Sequence, residues 1–335
     1  MQKSRTHEGF ALNRISGEYK EAESRKDEKA RGLLINAIDQ RRRDLLGKLE
    51  IEFKMPVVAY IANPKHAGAT LNNNDEKAMA DLVRYALDRS GEVLLVLDTQ
   101  GGDAAYVMKQ VRGFWSLFSN GYSVAVPHAA KSGGTMIAIG AKKIFMGENS
   151  EMGPIDPIMV FKNAKNGITR CSAKTYISCF DNLQAQLRVE IDERIRGLLE
   201  KMITKSIDPF RLEECREAIE IVKEHAEELL KNGAMSGKQQ AQIAYAIEQL
   251  ILGRRHRFHG SAIRAEEAEE MLKLNVERLE FGDTRWTLLW EYYLRASADM
   301  LRNNTAKLFE NKEDTLSVEI VHADLGRAAK DSKRR

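Results

Sequence analysis

Apolar and polar positions follow one another along the chain in two rhythms, and the change between them marks its organisation. From Ser4 to about Glu52, Arg, Lys and Glu surround sparse apolar positions (Leu33, Leu34, Ala37, Ile38, Leu45, Leu46) at helical spacing. Continuous apolar runs then take over. Val57–Ala62, Val93–Asp98, Ser123–Pro127 and Lys143–Met146 have the length and branching of buried strands. Between them lie helical patterns. One is capped by Asp75 and places Met79, Leu82, Val83 and Leu87 at three- and four-residue steps; another runs from about Ala104 to Phe118, and a short apolar one from Gly134 to Gly140. This alternation predicts crossovers around a mostly parallel sheet, an α/β core.

Beyond Ser172 the pattern reads as almost wholly helical: Ser172 to about Lys205, Asp208–Lys231, Ser236–Leu252 entered through an N-cap at Ser236, Arg264–Leu274, and Thr284 to about Leu308. Residues 322–335 are charged and expected to be disordered. The expected divisions are a charged helical N-terminal extension over 1–52, the core over 53–280, and a helical C-terminal extension over 281–335 that ends in a disordered basic tail.

Composition narrows the classes further. With 335 residues, 43% hydrophobic and 30% charged, the chain is neither collagen-like nor wholly disordered. Its 52 Lys and Arg against 49 Asp and Glu leave +3, which asks for no nucleic acid and no anionic membrane as partner. The cluster Arg254-Arg255-His256-Arg257 is too short for a nucleic-acid stripe. Cys171, Cys179 and Cys215 are odd in number and form no Cys-x-x-Cys pair, so neither a disulfide framework nor a zinc site is expected. No cofactor is expected either. The longest strongly apolar run, Val93–Leu97, falls far short of the about 20 residues that span a bilayer, and the N-terminus is charged throughout. The expectation is a cytoplasmic protein without a membrane span.

Candidate chemistry sits where strands end. Gly101-Gly102 closes the run Val93–Asp98 and opens a helix, at a place where ligands gather in open α/β sheets. The turn lacks the G-x-G-x-x-G spacing of a dinucleotide site, and on its own it reads equally as a tight turn that merely needs glycines. Ala129-Ala130-Lys131-Ser132-Gly133-Gly134-Thr135-Met136 is more specific. Small neighbours let the chain turn sharply and present the Ser132 hydroxyl at a strand end, with the N–H of Gly133 facing a developing oxyanion. Taken alone, Ser132 also reads as a helix N-cap. The third element, Ser150-Glu151-Met152-Gly153-Pro154-Ile155-Asp156-Pro157, has the stiff composition of a loop lining a cleft.

Together these motifs resemble the family that joins the proteolytic subunit of Clp protease, signal peptide peptidase A and the serine dehydrogenase proteinases. The stretches that carry the resemblance are Asp98-Thr99-Gln100-Gly101-Gly102, Val126–Thr135 and Ser150–Pro157, and it extends over roughly Val57 to Val276. It implies a Clp/crotonase-like α/β fold and a serine peptidase that works through an acyl-enzyme on Ser132. The N–H groups of Gly102 and Gly133 are then the oxyanion hole, and Gly101, Gly134, Pro154 and Asp156 line the substrate site. Gln100 stands where the family usually has Pro. The implied substrate is a peptide or unfolded protein, and the implied state is a homo-oligomer. Two other readings stay open: a crotonase-like acyl-CoA hydratase or thioesterase on the same scaffold, and a non-catalytic oligomeric scaffold.

A serine attacks a carbonyl only if a base takes its proton. Clp-type enzymes use a downstream histidine, but no histidine follows Ser132 before His225. Signal peptide peptidase A uses a downstream lysine, a slot that Lys174, 42 residues after Ser132, fits at the start of an expected helix. Lys174 reads equally as a solvated surface residue. His128, four residues before Ser132, is the next candidate, with a backbone-satisfied histidine as its alternative. Lys162, Lys165 and His259 complete the set.

Overall fold

The computed structural model describes residues 4–66, 68–162, 167–253 and 260–319. Two helices open the chain, α1 (Ser4–Ser24) and α2 (Glu28–Phe53), the second started by Asp27, whose carboxylate accepts the N–H of Lys29. Strand β1 (Val57–Ala62) follows, then a 3₁₀ turn at Asn73–Asp75 leads into α3 (Glu76–Leu87). The chain continues through β2 (Val93–Asp98), α4 (Ala104–Leu117), β3 (Tyr122–Val126), β4 (Ala129–Ala130), α5 (Gly133–Ile139), β5 (Lys143–Gly147) and β6 (Glu151–Met152). These elements follow the apolar runs closely. Every residue of β1 and β2 is buried, which is why both strands read as unbroken hydrophobic stretches rather than alternating ones.

The second half departs from its expected helices. β7 (Ile158–Lys162) and β8 (Ile168–Ser172) form an antiparallel hairpin. The helix expected over Ser172–Lys205 is two, α6 (Ala173–Val189) and α7 (Glu193–Ser206), because the Asp192 carboxylate accepts the N–H groups of Arg194 and Ile195 and starts a new helix. After α8 (Pro209–Asn232), α9 (Gln240–Leu252) begins beyond the expected cap at Ser236, since Gly237 takes φ +79° and a capping box joins Gln239 and Gln242. In place of a helix over Arg264–Leu274 there are β9 (Ile263–Arg264) and a π-helical turn at Glu267–Met271, and β10 (Val276–Leu279) comes next. α10 (Thr284–Asn303) stops short of Leu308 because Asn304 is left-handed (φ 52°, ψ 38°); β11 (Thr305–Glu310) and β12 (Thr315–Glu319) come after it. The expected tail over 322–335 lies outside the described residues.

The main sheet has seven strands in the order β10-β5-β3-β2-β1-β11-β12. The first five run parallel, and the last two are antiparallel additions from the C-terminal segment. One face carries Val58, Tyr60, Leu95 and Leu97 against α3, α4, α5, α8 and α9. The other carries Val57, Ala59, Leu94 and Val96 against α2 and α10. A small second sheet, β4-β6-β9, sits where β3 leaves the main one. Arg42 of α2 is 2% exposed and its guanidinium Nε donates to Glu310 of β11 at 2.9 Å and 3.0 Å, an ion pair that ties the two terminal segments together inside the core. No helix among the described residues is long and apolar enough to cross a membrane.

Candidate active site

The turn after β2 is built by its glycines. Gly101 has φ +94°, and a Cβ there would lie 2.7 Å from the nitrogen of Gly133 and 2.8 Å from the Cβ of Ser132, so only hydrogen fits between the two turns. Gly102 is pressed on its other side by Leu71, whose carbonyl oxygen would lie 2.1 Å from an added Cβ. Thr99 stitches this turn to the next. Its N–H donates to Ala129 at 2.7 Å, and its carbonyl accepts from Lys131 at 2.9 Å.

At the second turn Ser132 adopts φ 50°, ψ −114°, away from the left-handed well that Asn304 occupies. Its hydroxyl makes no capping bond to α5, so the N-cap reading fails at the side chain. The turn is instead held by backbone bonds, Gly134 N–H to the Lys131 carbonyl at 2.7 Å and Met136 N–H to the Ser132 carbonyl at 3.0 Å. No acceptor among the described residues takes the N–H of Gly102 or of Gly133. Gly134 is needed for packing: a Cβ there would meet the Thr99 methyl at 2.6 Å.

The third motif is fastened to the second. β6 pairs with β4 in parallel, Ala129 opposite Glu151 and Ala130 opposite Met152. The Thr135 hydroxyl donates to the Ala130 carbonyl at 2.6 Å and accepts the N–H of Gly153 at 3.0 Å. Lys131, 7% exposed, donates to the carbonyls of Met152 and Ser261 at 3.1 Å and pairs with Glu151 at 2.8 Å. Its ammonium is a strut between the two motifs. The sequence offered only its place beside Ser132 as a hint of that. Pro154 and Asp156 are buried, as are Gly101 and Gly134.

The candidate bases fall in different places. His128 stacks on Tyr293 of α10, centroids 5.5 Å apart, with Nδ1 3.5 Å from Oδ1 of the buried Asp98 carboxylate. Hydrogen bonding to Asp98 raises the His128 pKa above its ordinary value. Burial pushes the Asp98 carboxyl up as well, against the pull of His128 and of the Ala129 N–H. The described residues show no hydrogen bond from His128 to Ser132. Neither Asp98 nor Tyr293 was foreseen as its partner, since α10 reads as a packing helix. Lys174 stands in the first turn of α6, where the N–H of Ala173 donates to the Pro157 carbonyl at 2.9 Å and its own Nζ reaches the Gly253 carbonyl at a long 3.5 Å. The β7–β8 hairpin therefore leaves the third motif and returns Lys174 beside it. Lys162 pairs with Ile168 at the far end of that hairpin, about 13 Å from its base by strand geometry. Lys165, His259 and the basic cluster at 254–257 lie outside the described residues. Among the described residues no group of three or more His, Cys, Asp or Glu side chains is arranged to hold a metal ion.

A family model of ClpP-like SDH-type serine proteinases matches residues 26–194, half of the chain. The chain belongs to that family. The matched span takes in α2, all three turns and Lys174, while α8–α10 and β9–β12 lie beyond it. An uncharacterized protein of Methanocaldococcus jannaschii is 62% identical over 34 residues, 10% of this chain and 12% of that protein, so the match spans about an eighth of the curated relative's length. Among solved structures, the membrane-bound stomatin-specific protease 1510-N is 15% identical over 64% of this chain and 76% of its own, with a TM-score of 0.38. ClpP1 from Listeria monocytogenes is 12% identical over 75% and 98%, with a TM-score of 0.35. The family assignment rests on the family model alone.

Proposed function

We propose that this chain is a serine peptidase in which Ser132 is the nucleophile, Lys174 the base, and the N–H groups of Gly102 and Gly133 the oxyanion hole. The observation that carries this reading is the backbone of Ser132: a non-glycine residue held at φ 50°, ψ −114°, its side chain making no capping bond and its Cβ packed against the turn at Gly101. Such strain persists only where surrounding structure imposes it, and it gathers at catalytic turns. Nζ of Lys174 takes the Ser132 proton as Oγ adds to the scissile carbonyl, and the two N–H groups receive the negative oxygen. Lys174 then passes that proton to the departing amine as the carbon–nitrogen bond breaks. Water, relieved of a proton by the same lysine, hydrolyses the acyl-enzyme and restores Ser132. The return of Lys174 to the third motif by the hairpin supports its role.

The substrates we propose are peptides and unfolded chains, the compartment is the cytoplasm, and the working form is a homo-oligomer. Exposed apolar side chains on the hairpin, on α6–α8 and in the α6–α7 link, among them Val160, Ile168, Val189, Ile191, Leu198 and Phe210, support a subunit contact. The mechanism is tested with peptide hydrolysis by the full chain. Lys174→Ala is expected to lower kcat by at least about a thousandfold, and His128→Ala by no more than about tenfold. A dead His128→Ala beside an active Lys174→Ala overturns the assignment of the base.

A further inference from the structure

Resting on the peptidase reading, we infer that the buried Lys307–Asp75 pair is a positioning device that fixes the direction of the Gly102 N–H. Nζ of Lys307 lies 2.6 Å from Oδ1 of Asp75, and each side chain is 3% exposed. Lys307 belongs to β11, beyond the residues the family model matches, so the C-terminal segment supplies this contact. The other carboxylate oxygen of Asp75 accepts the N–H of Asn72 at 3.0 Å, in a capping box that closes with the Asn72 side chain. Asn72 is the neighbour of Leu71, and Leu71 holds the glycine turn from both sides. Its N–H donates to the Gly101 carbonyl at 2.9 Å, and its carbonyl accepts the N–H of Asp103 at 2.9 Å.

Peptide planarity makes this consequential. The Gly101 carbonyl and the Gly102 N–H belong to one trans peptide unit and point in opposite directions. A hydrogen bond from Leu71 to that carbonyl therefore sets where the N–H aims, and a turn of the peptide plane about its neighbours loses the bond. Two glycines in succession leave the peptide little resistance of its own to such a turn. The restraint comes from Leu71, which is anchored through Asn72 and Asp75 to Lys307. A buried ion pair contributes little net stability compared with an apolar pair of the same shape, so stability alone gives it no reason to be there.

The experiment compares wild type with Lys307→Met and with the double variant Lys307→Met/Asp75→Asn, which carries no unpaired buried charge and keeps an acceptor for Asn72. Melting temperature, peptide kcat and KM, and amide hydrogen exchange at Leu71 and Asp103 are measured on each. The double variant is expected to melt near wild type, to exchange at Leu71 and Asp103 at least about tenfold faster with β2 amides unchanged, and to lose about ten- to a hundredfold in kcat with KM within about twofold. Unchanged exchange, or faster exchange with wild-type kcat, overturns the inference. A wild type without Ser132-dependent hydrolysis sinks the peptidase reading and the catalytic half of the inference with it, while the exchange rates still decide whether the tether holds the turn.

Discussion

Ser132 pays about 1–3 kcal/mol of conformational strain for its backbone, and its neighbours are what hold it there. Gly101 lies against its Cβ, the Lys131 carbonyl is bound by Gly134, and the Ser132 carbonyl by Met136. A few residues away, His128 and Asp98 form a second polar centre that joins the starts of the two turns. The His128 pKa is raised, so its protonated form favours the folded state. That contribution is fully present below the ordinary histidine value of 6.5 and is lost as pH rises through the raised value in the folded chain. Glu151 adds to the rise and Lys131 opposes it, while Tyr293 stacks on the ring. In the variant His128→Gln the stability difference from wild type, followed by urea unfolding, is therefore expected to be largest near about pH 6 and to shrink toward about pH 9. A difference that is constant or grows with pH contradicts the pairing.

The elements after Ser172 show where sequence and structure part. β1, β2, β3 and β5 were legible because strands covered on both faces are written as unbroken apolar runs. β11 was not, because Lys307 and Glu310 mimic a solvent-facing pattern although each is buried against an opposite charge. β10 reads Val-Glu-Arg-Leu, with charged residues at its centre, and only its pairing with β5 makes it a strand. The serine and glycine turns were visible as clusters of small residues. Their partners were not, since Leu71, Tyr293 and Lys307 arrive through tertiary folding from other parts of the chain. The stretch from the α6–α7 link to the start of α8 leaves one further expectation. Ile191 is 92% exposed and Phe210 84%, values at odds with a solitary surface, and the homo-oligomer proposal covers them. Light scattering at micromolar concentration is expected to give a multiple of the subunit mass, falling to one subunit in the variant Ile191→Lys/Phe210→Lys. A wild-type monomer contradicts that proposal.

At the scale of the whole molecule, the fold collects its chemistry on one edge. β1, β2 and β3 run parallel, so the segments that follow them, around Leu71, Gly101-Gly102 and Ser132, emerge at the same carboxyl end of the sheet. β6 then brings Gly153 to the second of these turns, and the hairpin returns the start of α6 to Pro157. The two terminal segments enclose the opposite face, where α2 and α10 pack together and the Arg42–Glu310 pair joins them to β11. The central claim is that this edge arms Ser132 as a nucleophile. It is tested most directly by treating the full chain with a fluorophosphonate probe and mapping the adduct by peptide mass spectrometry. Stoichiometric modification of Ser132, absent from Ser132→Ala with the melting temperature unchanged, is the result expected. An adduct on another residue, or equal labelling of Ser132→Ala and wild type, contradicts the account.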